Sequence, residues 1–522
     1  MNQERKYSIS INPATGEEIG KTLVNTTEEL NEAVRKAAVA QPVWAAAGFD
    51  ERKRCLLKIR NYIADNADRI AEVVSLSAGK VLVDSMSTEV LNAAMAVNFY
   101  AKNGKKVLKK RRLGGGNILT LNKISRLEYV PFGVVGIISP WNYPFSIPFH
   151  EIAMALIAGN ALILKVASHT LEVGRVIEEC VKAGGLPENI FTLINLPGSI
   201  AGDAFIESGI NKLFFTGSVP VGKQLMKKAS ERLLPISLEL GGNDAMIVCR
   251  DADIYRAAGG ALWAGLANTG QSCAGVERLY VDHHIYDEFV KELKSRAARL
   301  RFGLPDDPSA EIGSLTTEKQ LKTIKEHVKD AEGKGAELTK VEPPPDFKGF
   351  YHPVVIVEKT SDNMITMKEE TFGPVIAVTP FNSIEDAIRM ANNSDLGLTA
   401  SVWTTDIKKG KEIASRIEAG SIMINDHLMS HGLAETPWGG FKNSGYGRTH
   451  GPLGLLAMAQ PRVIINDILP GVKKDMWWHP YSKEVYDGLR GAIEFLYSGN
   501  MSLKFNAMFR LVKTFLRSFR KD

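Results

Sequence analysis

The run Gly133-Val-Val-Gly-Ile-Ile-Ser139 is followed at once by Pro140-Trp-Asn-Tyr-Pro144. A short, almost wholly apolar run of this kind predicts a strand that is buried on both faces of a sheet. The run Ala161-Leu-Ile-Leu-Lys-Val166 repeats the pattern, after a helical stretch from about Phe149 that ends at Gly159-Asn160, a usual C-terminal signal of a helix. Strands that alternate with helices indicate βαβ units and a parallel sheet.

The alternation of helices and strands extends in both directions from this run. Upstream, Thr27 to Ala46 and Phe49 to Leu76 have helical periodicity. Downstream of Glu239 a second set begins. It consists of strands at Ala245–Cys249 and Arg278–Val281, helices near 253–267 and 284–301, and a further unit after Gly373. We therefore predict two α/β domains.

Length and composition indicate an ordinary soluble globular protein. The chain has 522 residues, of which 44% are hydrophobic and 24% charged, which suffices for two or three domains. Its four cysteines, Cys55, Cys180, Cys249 and Cys273, are widely spaced, so neither a disulfide framework nor a metal site is indicated. Met1 to Lys6 contains no apolar stretch, and no segment approaches the roughly 18 apolar residues of a spanning helix. We expect a cytoplasmic location.

The positive charge of the chain is unevenly distributed. The formal net charge is +5, and residues 501–522 alone carry six basic residues against one acidic residue. A basic surplus patterned with aromatics over a whole domain would indicate nucleic-acid binding. Because this surplus is concentrated at the C-terminus, we predict no nucleic-acid partner.

Cys273 and Glu239 are the candidates for covalent chemistry. Cys273 lies in Asn268-Thr-Gly-Gln-Ser-Cys-Ala-Gly275, and Glu239 precedes it by 34 residues in Leu238-Glu-Leu-Gly-Gly-Asn243. A thiolate is a strong nucleophile, and a carboxylate beside glycines can accept a proton from a second reactant. The alternative is that Cys273 is only a small buried apolar residue.

Two turns that follow predicted strands add candidate binding groups. Asn142 follows the first strand, where its amide either donates to a developing oxyanion or caps the next turn. Phe214-Phe-Thr-Gly-Ser-Val-Pro-Val-Gly222 predicts a strand, a glycine turn and the start of a helix. Free amides at a helix N-terminus suit a pyrophosphate, although the sequence is not GxGxxG.

Six motifs in this order resemble those of the aldehyde dehydrogenase superfamily, from about residue 8 to 467. They are Pro-Trp-Asn-Tyr-Pro, Phe-Thr-Gly-Ser, Glu-Leu-Gly-Gly, Gly-Gln-Ser-Cys, Glu370-Thr-Phe-Gly-Pro374 and Pro437-Trp-Gly-Gly-Phe-Lys-Asn-Ser-Gly445. The resemblance implies an α/β fold with a Rossmann-type cofactor domain, an α/β catalytic domain and a small β oligomerisation ribbon. The corresponding ranges are 1–112 with 132–238, then 239–445, then 113–131 with 446–467, and finally a C-terminal extension, 468–522. The ribbon strand near 113–131 is expected to pair with Met458 to Asn466, and a homodimer or homotetramer is implied.

The resemblance also implies roles for the candidate catalytic residues. Cys273 matches the thiol that attacks an aldehyde, Asn142 matches the oxyanion donor, and Glu239 matches the base that activates water to hydrolyse a thioester. The implied product is a carboxylic acid, with NAD or NADP as cofactor. Two alternatives stay open: a CoA-acylating enzyme, which would not need Glu239, and a non-catalytic membrane-associated scaffold.

Cofactor contacts follow from the same resemblance. The matching positions are Trp141, Lys165, Ser168, Gly217, Ser218, Val221, Gly222, Leu240, Glu370 and Phe372. Many family members that prefer NAD have Glu three residues after the lysine, where this chain has Ser168. Because a missing carboxylate removes repulsion from a 2′-phosphate, we expect NADP to be accepted at least alongside NAD.

Apolar residues after Asn142 suggest the substrate class. In related enzymes this helix lines the aldehyde tunnel, and here it carries Tyr143, Phe145, Ile147 and Phe149. We expect an apolar aliphatic or aromatic aldehyde. Packing of these side chains in the core is the alternative.

The C-terminal segment predicts a basic amphipathic helix. Its apolar residues recur with helical spacing: Phe505, Met508, Phe509, Val512, Phe515, Leu516 and Phe519. Such a stripe either packs on the protein or a neighbouring subunit, or it lies on an anionic membrane, which would place the enzyme peripherally at the inner membrane face. The basic run Lys105 to Arg112 is interpreted as a solvated helix end.

Overall fold

The structure is a computed structural model that describes residues 6–521, so Met1 to Arg5 and Asp522 lie outside the description. The chain divides into two compact units. One consists of Met1–Leu108 with Val130–Gln460, and the other of Lys109–Tyr129 with Pro461–Asp522.

A six-stranded, mostly parallel sheet forms the first half of the larger unit. Its order is Gly445–Tyr446, Ile236–Glu239, Lys212–Thr216, Val134–Ile138, Ala161–Lys165 and Phe191–Leu193, with only Gly445–Tyr446 antiparallel. The strands Val134–Ile138 and Ala161–Lys165 are buried at every residue, as the apolar runs predict. The helices that follow its strands are Ser146–Ala158, Leu171–Ala183, Gly198–Glu207 and Val219–Ser230. The parallel α/β class is confirmed.

An N-terminal group of helices precedes this sheet. It consists of Thr27–Ala46, Gly48–Asp65, Ala67–Ala78, Leu82–Asp84, a π-helical turn Ser85–Leu91, and Asn92–Val107, after a hairpin of Tyr7–Ile11 and Glu18–Leu23. The helical stretch predicted over Phe49 to Leu76 is two helices. Asn66 separates them: its backbone leaves the helical region (φ −119°, ψ 23°), and its N–H and its side-chain amide both donate to the Tyr62 carbonyl oxygen (3.1 and 2.8 Å), which caps the first helix.

A seven-stranded sheet forms the second half of the larger unit. Its order is Glu337–Val341, Val354–Glu358, Val375–Phe381, Val276–Asp282, Asp244–Val248, Thr399–Trp403 and Ser421–Ile424, and only Glu337–Val341 is antiparallel. Its helices are Ile254–Leu266, Tyr286–Ala297, Glu318–Gly333, Ile365–Lys368, Ile384–Asn392, Ile407–Ala414, Met429–Gly432 and Gly451–Leu456. A short pair, Leu396–Gly397 with Phe441–Lys442, lies outside both sheets.

The smaller unit is a three-stranded sheet and a helical hairpin. Ala459–Asp467, Lys123–Pro131 and Arg111–Arg112 form the sheet, and Lys483–Tyr497 packs against Met501–Arg517. The ribbon strand predicted near 113–131 contains a 3₁₀ turn, Ile118–Thr120, which the Asn117 side chain caps, and its extended part is Lys123–Pro131. Between residues 6 and 521 the structure contains no helix long and apolar enough to cross a membrane.

Parallel strands explain why distant motifs meet. Val134–Ile138, Lys212–Thr216 and Ile236–Glu239 run in one direction, so their carboxyl ends share one edge of the sheet. The segments that follow them carry Trp141, Gly217 and Leu240. Ligands of open α/β sheets commonly bind at such an edge.

Candidate active site

A cavity of about 390 Å³ lies at this edge of the six-stranded sheet. Nine of the predicted site residues line it: Trp141, Asn142, Gly217, Ser218, Glu239, Leu240, Cys273, Glu370 and Phe372. Thr216 and Gln320 line it as well, and the Thr216 hydroxyl is buried without a hydrogen-bond partner within residues 6–521. We call this space the polar cavity.

Four predicted cofactor residues do not line the polar cavity. Lys165 ends the strand next to Val134–Ile138, and burial lowers its pKa to about 8. Ser168 begins the short helical turn that follows, and Val221 is exposed on the helix Val219–Ser230. Gly222 lies beneath Leu240, because a β-carbon there would stand 2.6 Å from a Leu240 methyl carbon.

The loop before Cys273 holds an unusual backbone. Asn268 and Thr269 have φ values of 54° and 56°, a left-handed conformation that costs energy for residues other than glycine. The Asn268 side chain donates to the carbonyl oxygens of Asn142 (2.9 Å) and Gln271 (3.1 Å), and its backbone N–H donates to Asp84 (2.8 Å). These bonds fix the loop that presents the thiol.

Cys273 itself is half-buried at the end of this loop. Gly242 must be glycine here, because a β-carbon at that position would come within 2.2 Å of the Cys273 carbonyl oxygen. Burial raises the pKa of the thiol well above its usual value, and the carboxyl groups of Glu370, Asp244 and Glu239 raise it further. The other three cysteines are fully buried, so Cys273 is the thiol of the described chain that a ligand can reach.

Asn142 is placed by the same loop. Its side-chain nitrogen donates one hydrogen bond to the Gln271 carbonyl oxygen (3.1 Å). An amide nitrogen carries two hydrogens, so a second N–H is available to a ligand. Since Asn142 and Cys273 both line the polar cavity, this N–H is near the thiol.

Glu239 ends its strand with a buried side chain. Neither carboxylate oxygen has a hydrogen-bond partner within residues 6–521. Burial raises its pKa well above the usual value, the charge of Glu151 raises it further, and Arg448 partly lowers it. A buried carboxyl group without partners is costly, which is typical of a group kept for function.

Glu370 and Phe372 form another part of the wall of the polar cavity. A second buried carboxylate, that of Glu277, fixes the segment that carries them. Glu277 accepts hydrogen bonds from the backbone N–H groups of Thr371 (2.8 Å) and Phe372 (2.7 Å). Glu370 accepts from the Gly242 N–H (3.0 Å), and the Phe372 ring meets Trp141 edge-on at 5.5 Å. The cavity wall is therefore preorganised.

A second cavity, of about 230 Å³, opens on the other side of Cys273. We call it the apolar cavity, because apolar side chains dominate its wall. Its lining residues include Leu91, Met95, Tyr143, Trp263, Leu428, Met429 and Trp438, with Asn92 and His431 as polar members. Burial lowers the pKa of His431 to about 4, so no lining side chain is charged at neutral pH.

The prediction for the helix after Asn142 is wrong for three residues. Tyr143 lines the apolar cavity, but Phe145, Ile147 and Phe149 do not. They are core residues, because the helix Ser146–Ala158 is buried on every side. The π-helical turn Ser85–Leu91 supplies wall residues instead.

Three residues near the site lack a motif signal and were missed by sequence reasoning. Glu151 is buried, and burial raises its pKa to about 8. Arg448 lies beside Glu239, since a β-carbon on Gly439 would touch both side chains. The pKa of His169 is lowered by burial of its ring and by the positive charge of Lys165. Two basic side chains therefore lie close together at the end of the strand Ala161–Lys165.

The chain is similar to known proteins over most of its length. Residues 1–464 match the model of the aldehyde dehydrogenase family. A 4,4'-diapolycopene aldehyde oxidase from Methylomonas sp is 34% identical over 495 residues, which cover 95% of this chain and 92% of that protein. A putative succinate-semialdehyde dehydrogenase [NADP(+)] from Mycolicibacterium smegmatis is 35% identical over 475 residues, covering 89% and 90%.

Solved structures are similar to the chain as well. The crystal structure of an E. coli NADP-dependent enzyme superposes with a TM-score of 0.85 at 30% identity, covering 89% of this chain and 95% of that one. An NAD+ complex of aldehyde dehydrogenase from Bacillus cereus gives a TM-score of 0.85 at 29% identity, covering 89% and 94%. The fold implied by the six motifs is confirmed, and the chain belongs to the aldehyde dehydrogenase family.

Proposed function

We propose that this enzyme oxidises an apolar aldehyde to the carboxylic acid, with NAD or NADP as the oxidant and a thioester on Cys273 as the intermediate. One observation carries the proposal. Cys273 borders both cavities, so the thiol can meet an apolar reactant from one side and a polar one from the other.

The acylation half of the reaction uses Cys273 and Asn142. The Cys273 thiol gives up its proton to solvent, the sulfur adds to the aldehyde carbon to form a C–S bond, and the carbonyl oxygen becomes an oxyanion. The free N–H of Asn142 and the Cys273 backbone amide stabilise this charge. Loss of hydride from that carbon re-forms the carbonyl and leaves the thioester.

The hydrolysis half uses Glu239. Its carboxylate accepts a proton from water, whose oxygen then attacks the thioester carbon. The C–O bond forms, the C–S bond breaks, and the acid is released with the thiolate restored. The unpartnered oxygens of Glu239 leave both acceptor positions open to that water.

The polar cavity is proposed to receive the nicotinamide end of the dinucleotide, with the adenosine end beyond it. The helix Val219–Ser230 begins without a side-chain cap, so its first amides are open to a pyrophosphate. Glu370, Phe372 and Trp141 would hold the nicotinamide ribose and its surroundings, and Lys165 the adenosine ribose. When bound, the nicotinamide supplies the oxidant, because it accepts the hydride.

Acceptance of NADP is supported by the basic groups beyond the strand Ala161–Lys165. Lys165 forms no ion pair with any residue from 6 to 521, and Ser168, three residues after it, carries no charge. His169 adds an imidazole whose pKa is lowered by burial and by Lys165, so it can offer a hydrogen bond there but not a second full positive charge. The relative from Mycolicibacterium smegmatis carries NADP(+) in its name.

An apolar substrate is supported by the uncharged wall of the apolar cavity. An aldehyde that carries its own carboxylate, such as succinate semialdehyde, would need a cation for that carboxylate. No lysine or arginine is among the residues that line the cavity. We therefore infer that the substrate class of this chain is closer to that of the relative named a 4,4'-diapolycopene aldehyde oxidase than to that of the relatives named succinate-semialdehyde dehydrogenases.

The two alternatives differ in their products. A CoA-acylating enzyme would have no use for the buried carboxylate of Glu239, and a scaffold would have no use for the strained loop at Cys273.

A panel of short aliphatic, long aliphatic, aromatic and carboxylate-bearing aldehydes, assayed with NAD and NADP and with or without CoA, tests the proposal. We expect acid formation without CoA and the highest kcat/KM for long or aromatic aldehydes. A requirement for CoA, or a preference for the carboxylate-bearing aldehyde, would overturn it.

Assembly and location complete the proposal. The strand Ala459–Asp467 is exposed along almost its whole length and lies beside Lys123–Pro131 in the ribbon sheet. Exposed strands commonly pair with another chain, so we propose a homodimer or homotetramer in the cytoplasm. Equilibrium sedimentation decides between them, and a monomer at micromolar concentration would contradict both.

A further inference from the structure

The C-terminal helix Met501–Arg517 turns its apolar side chains to solvent. Phe505 and Phe509 are each 63% exposed, Val512 51% and Leu516 54%. Together with Met501, Met508, Phe515 and Phe519, they form one continuous stripe, which we call the aromatic face. Its exposure answers one question left by the sequence: among the described residues of this unit, most of the stripe is left uncovered, and only Phe519 lies against the chain, near Gly471.

The opposite side of this helix packs on its partner helix through small residues. Ala507 and Thr514 are buried there, and Gly488 and Gly491 of Lys483–Tyr497 lie against them. A β-carbon on Gly488 would come within 1.9 Å of the Thr514 hydroxyl oxygen. The helix therefore packs on its own unit through the side that carries Ala507 and Thr514, which leaves the aromatic face free for a partner.

Contacts within the smaller unit hold the helix in place. Arg517 is buried and donates to the carbonyl oxygens of Met476 (3.3 Å), Trp478 (3.1 Å) and Pro480 (2.8 Å). Arg510 forms an ion pair with Glu494 at 3.4 Å. Because the helix is fixed, its aromatic face has a defined orientation on this unit.

Unpaired cations flank the aromatic face. At 100° per residue, Lys513 lies along one edge of the stripe and Lys504 along the other, and Arg520 follows three residues after the last helical residue, Arg517. None of them forms an ion pair with any residue from 6 to 521, and the segment 501–521 contains no acidic residue. Long basic side chains beside an apolar stripe can reach phosphates while the stripe enters the acyl region.

We propose that the aromatic face binds the surface of an anionic lipid bilayer. Charge complementarity favours an anionic bilayer over a second copy of this chain as the partner of the aromatic face. Two copies of the face brought together would oppose Lys513 and Arg520 of one chain to those of the other, with no acid between 501 and 521 to offset them. An anionic leaflet offers apolar depth for the rings and negative charge for both edges.

Co-sedimentation with vesicles tests this proposal on the full-length enzyme. The probes are vesicles of phosphatidylcholine that contain roughly one third anionic phosphatidylglycerol, which gives them a negative surface potential, and vesicles of phosphatidylcholine alone. We expect partitioning to the anionic vesicles, weaker binding to the neutral ones, and loss of binding in high salt. The triple variant Phe505→Gln, Phe509→Gln, Leu516→Gln should reduce partitioning by about a hundredfold.

A charge variant and a matched control complete the experiment. Lys504→Gln, Lys513→Gln, Arg520→Gln should also reduce partitioning by about a hundredfold, and only for anionic vesicles. Val39→Gln, Val43→Gln removes equally exposed apolar side chains (80% and 67%) from the helix Thr27–Ala46 and should change nothing. Thermal unfolding confirms that each variant folds. Equal pelleting of wild type and the aromatic-face variant, or a change of oligomer mass in that variant without a change in pelleting, overturns the proposal.

Discussion

The Cys273 thiol and the Glu239 carboxyl group border the same polar cavity, but only Cys273 also borders the apolar cavity. The nucleophile therefore sits where two differently lined spaces meet, while the base is confined to the polar one. An apolar aldehyde can then reach the sulfur from the apolar cavity, and water can be activated in the polar cavity. Glu239 borders only the polar cavity, so the base is separated from the space proposed for the apolar reactant.

Replacing Asn142 tests the oxyanion role. Asn142→Ala removes the N–H that is free to face the reacting oxygen, and we expect kcat to fall by about 10² to 10³ with KM little changed. Steady-state kinetics with a short aldehyde measures both constants. Asn142→Asp, which keeps the size but removes the donor, should be at least as impaired, and a fully active Asp variant would contradict the role.

The pH dependence of hydrolysis tests the charge of Glu151. Glu239 must be ionised to accept a proton, and its pKa is raised first by burial and then by Glu151. Activity should therefore rise with pH through the Glu239 pKa. Glu151→Gln removes the second cause, so the rising limb of the kcat profile should move to lower pH.

The profile of Glu151→Gln is compared with that of Glu178→Gln, a substitution on the exposed surface of the helix Leu171–Ala183. The surface variant should keep the wild-type profile. A rising limb that stays in place in the Glu151 variant would show that the two carboxyl groups do not interact during turnover.

Cofactor choice is expected to depend on Ser168. Ser168→Glu places a carboxylate beside the position proposed for a 2′-phosphate, so kcat/KM for NADP should fall at least about tenfold while that for NAD holds. Ser168→Gln, which has the same size without the charge, serves as control. A wild-type preference for NAD of a hundredfold or more would refute the acceptance of NADP.

Substrate selection is expected to depend on the mouth of the apolar cavity. Leu91 is 54% exposed and lines this cavity, so Leu91→Arg should be tolerated by the fold. It should lower kcat/KM for long aldehydes by about tenfold or more, because an apolar contact is replaced by a charge. Short aldehydes should be little affected, and Val83→Arg, equally exposed (55%) but outside this cavity, should affect neither.

The sequence predicts the strands and the polar cavity well, because apolar runs mark buried parallel strands and the motifs follow their carboxyl ends. It does not predict the apolar cavity. Phe145 and Phe149 have the composition of a substrate wall, but burial of their helix on all sides depends on long-range packing. Leu91 and His431 come from segments more than 300 residues apart, and no local pattern joins them.

Hydrogen bonds and packing of individual side chains account for the smaller differences between the predicted and the observed elements. The helical periodicity of 49–76 continues through Asn66, yet its side chain takes the Tyr62 carbonyl and ends the helix. Periodicity likewise indicated the C-terminal helix, but which side of it faces solvent follows from Gly488 and Gly491 on the partner helix. The charges of Glu151 and Arg448 on Glu239 also need the folded chain.

The most direct test of the account is a single-turnover measurement on Glu239→Gln. The variant should release one equivalent of NADH or NADPH per chain on addition of an aldehyde and then stall, because acylation of Cys273 proceeds and hydrolysis does not. Intact-protein mass spectrometry should show the acyl adduct, and Cys273→Ala should give neither burst nor adduct. A Glu239→Gln enzyme that turns over at the wild-type steady-state rate, without an adduct, would contradict the division of labour between the two residues.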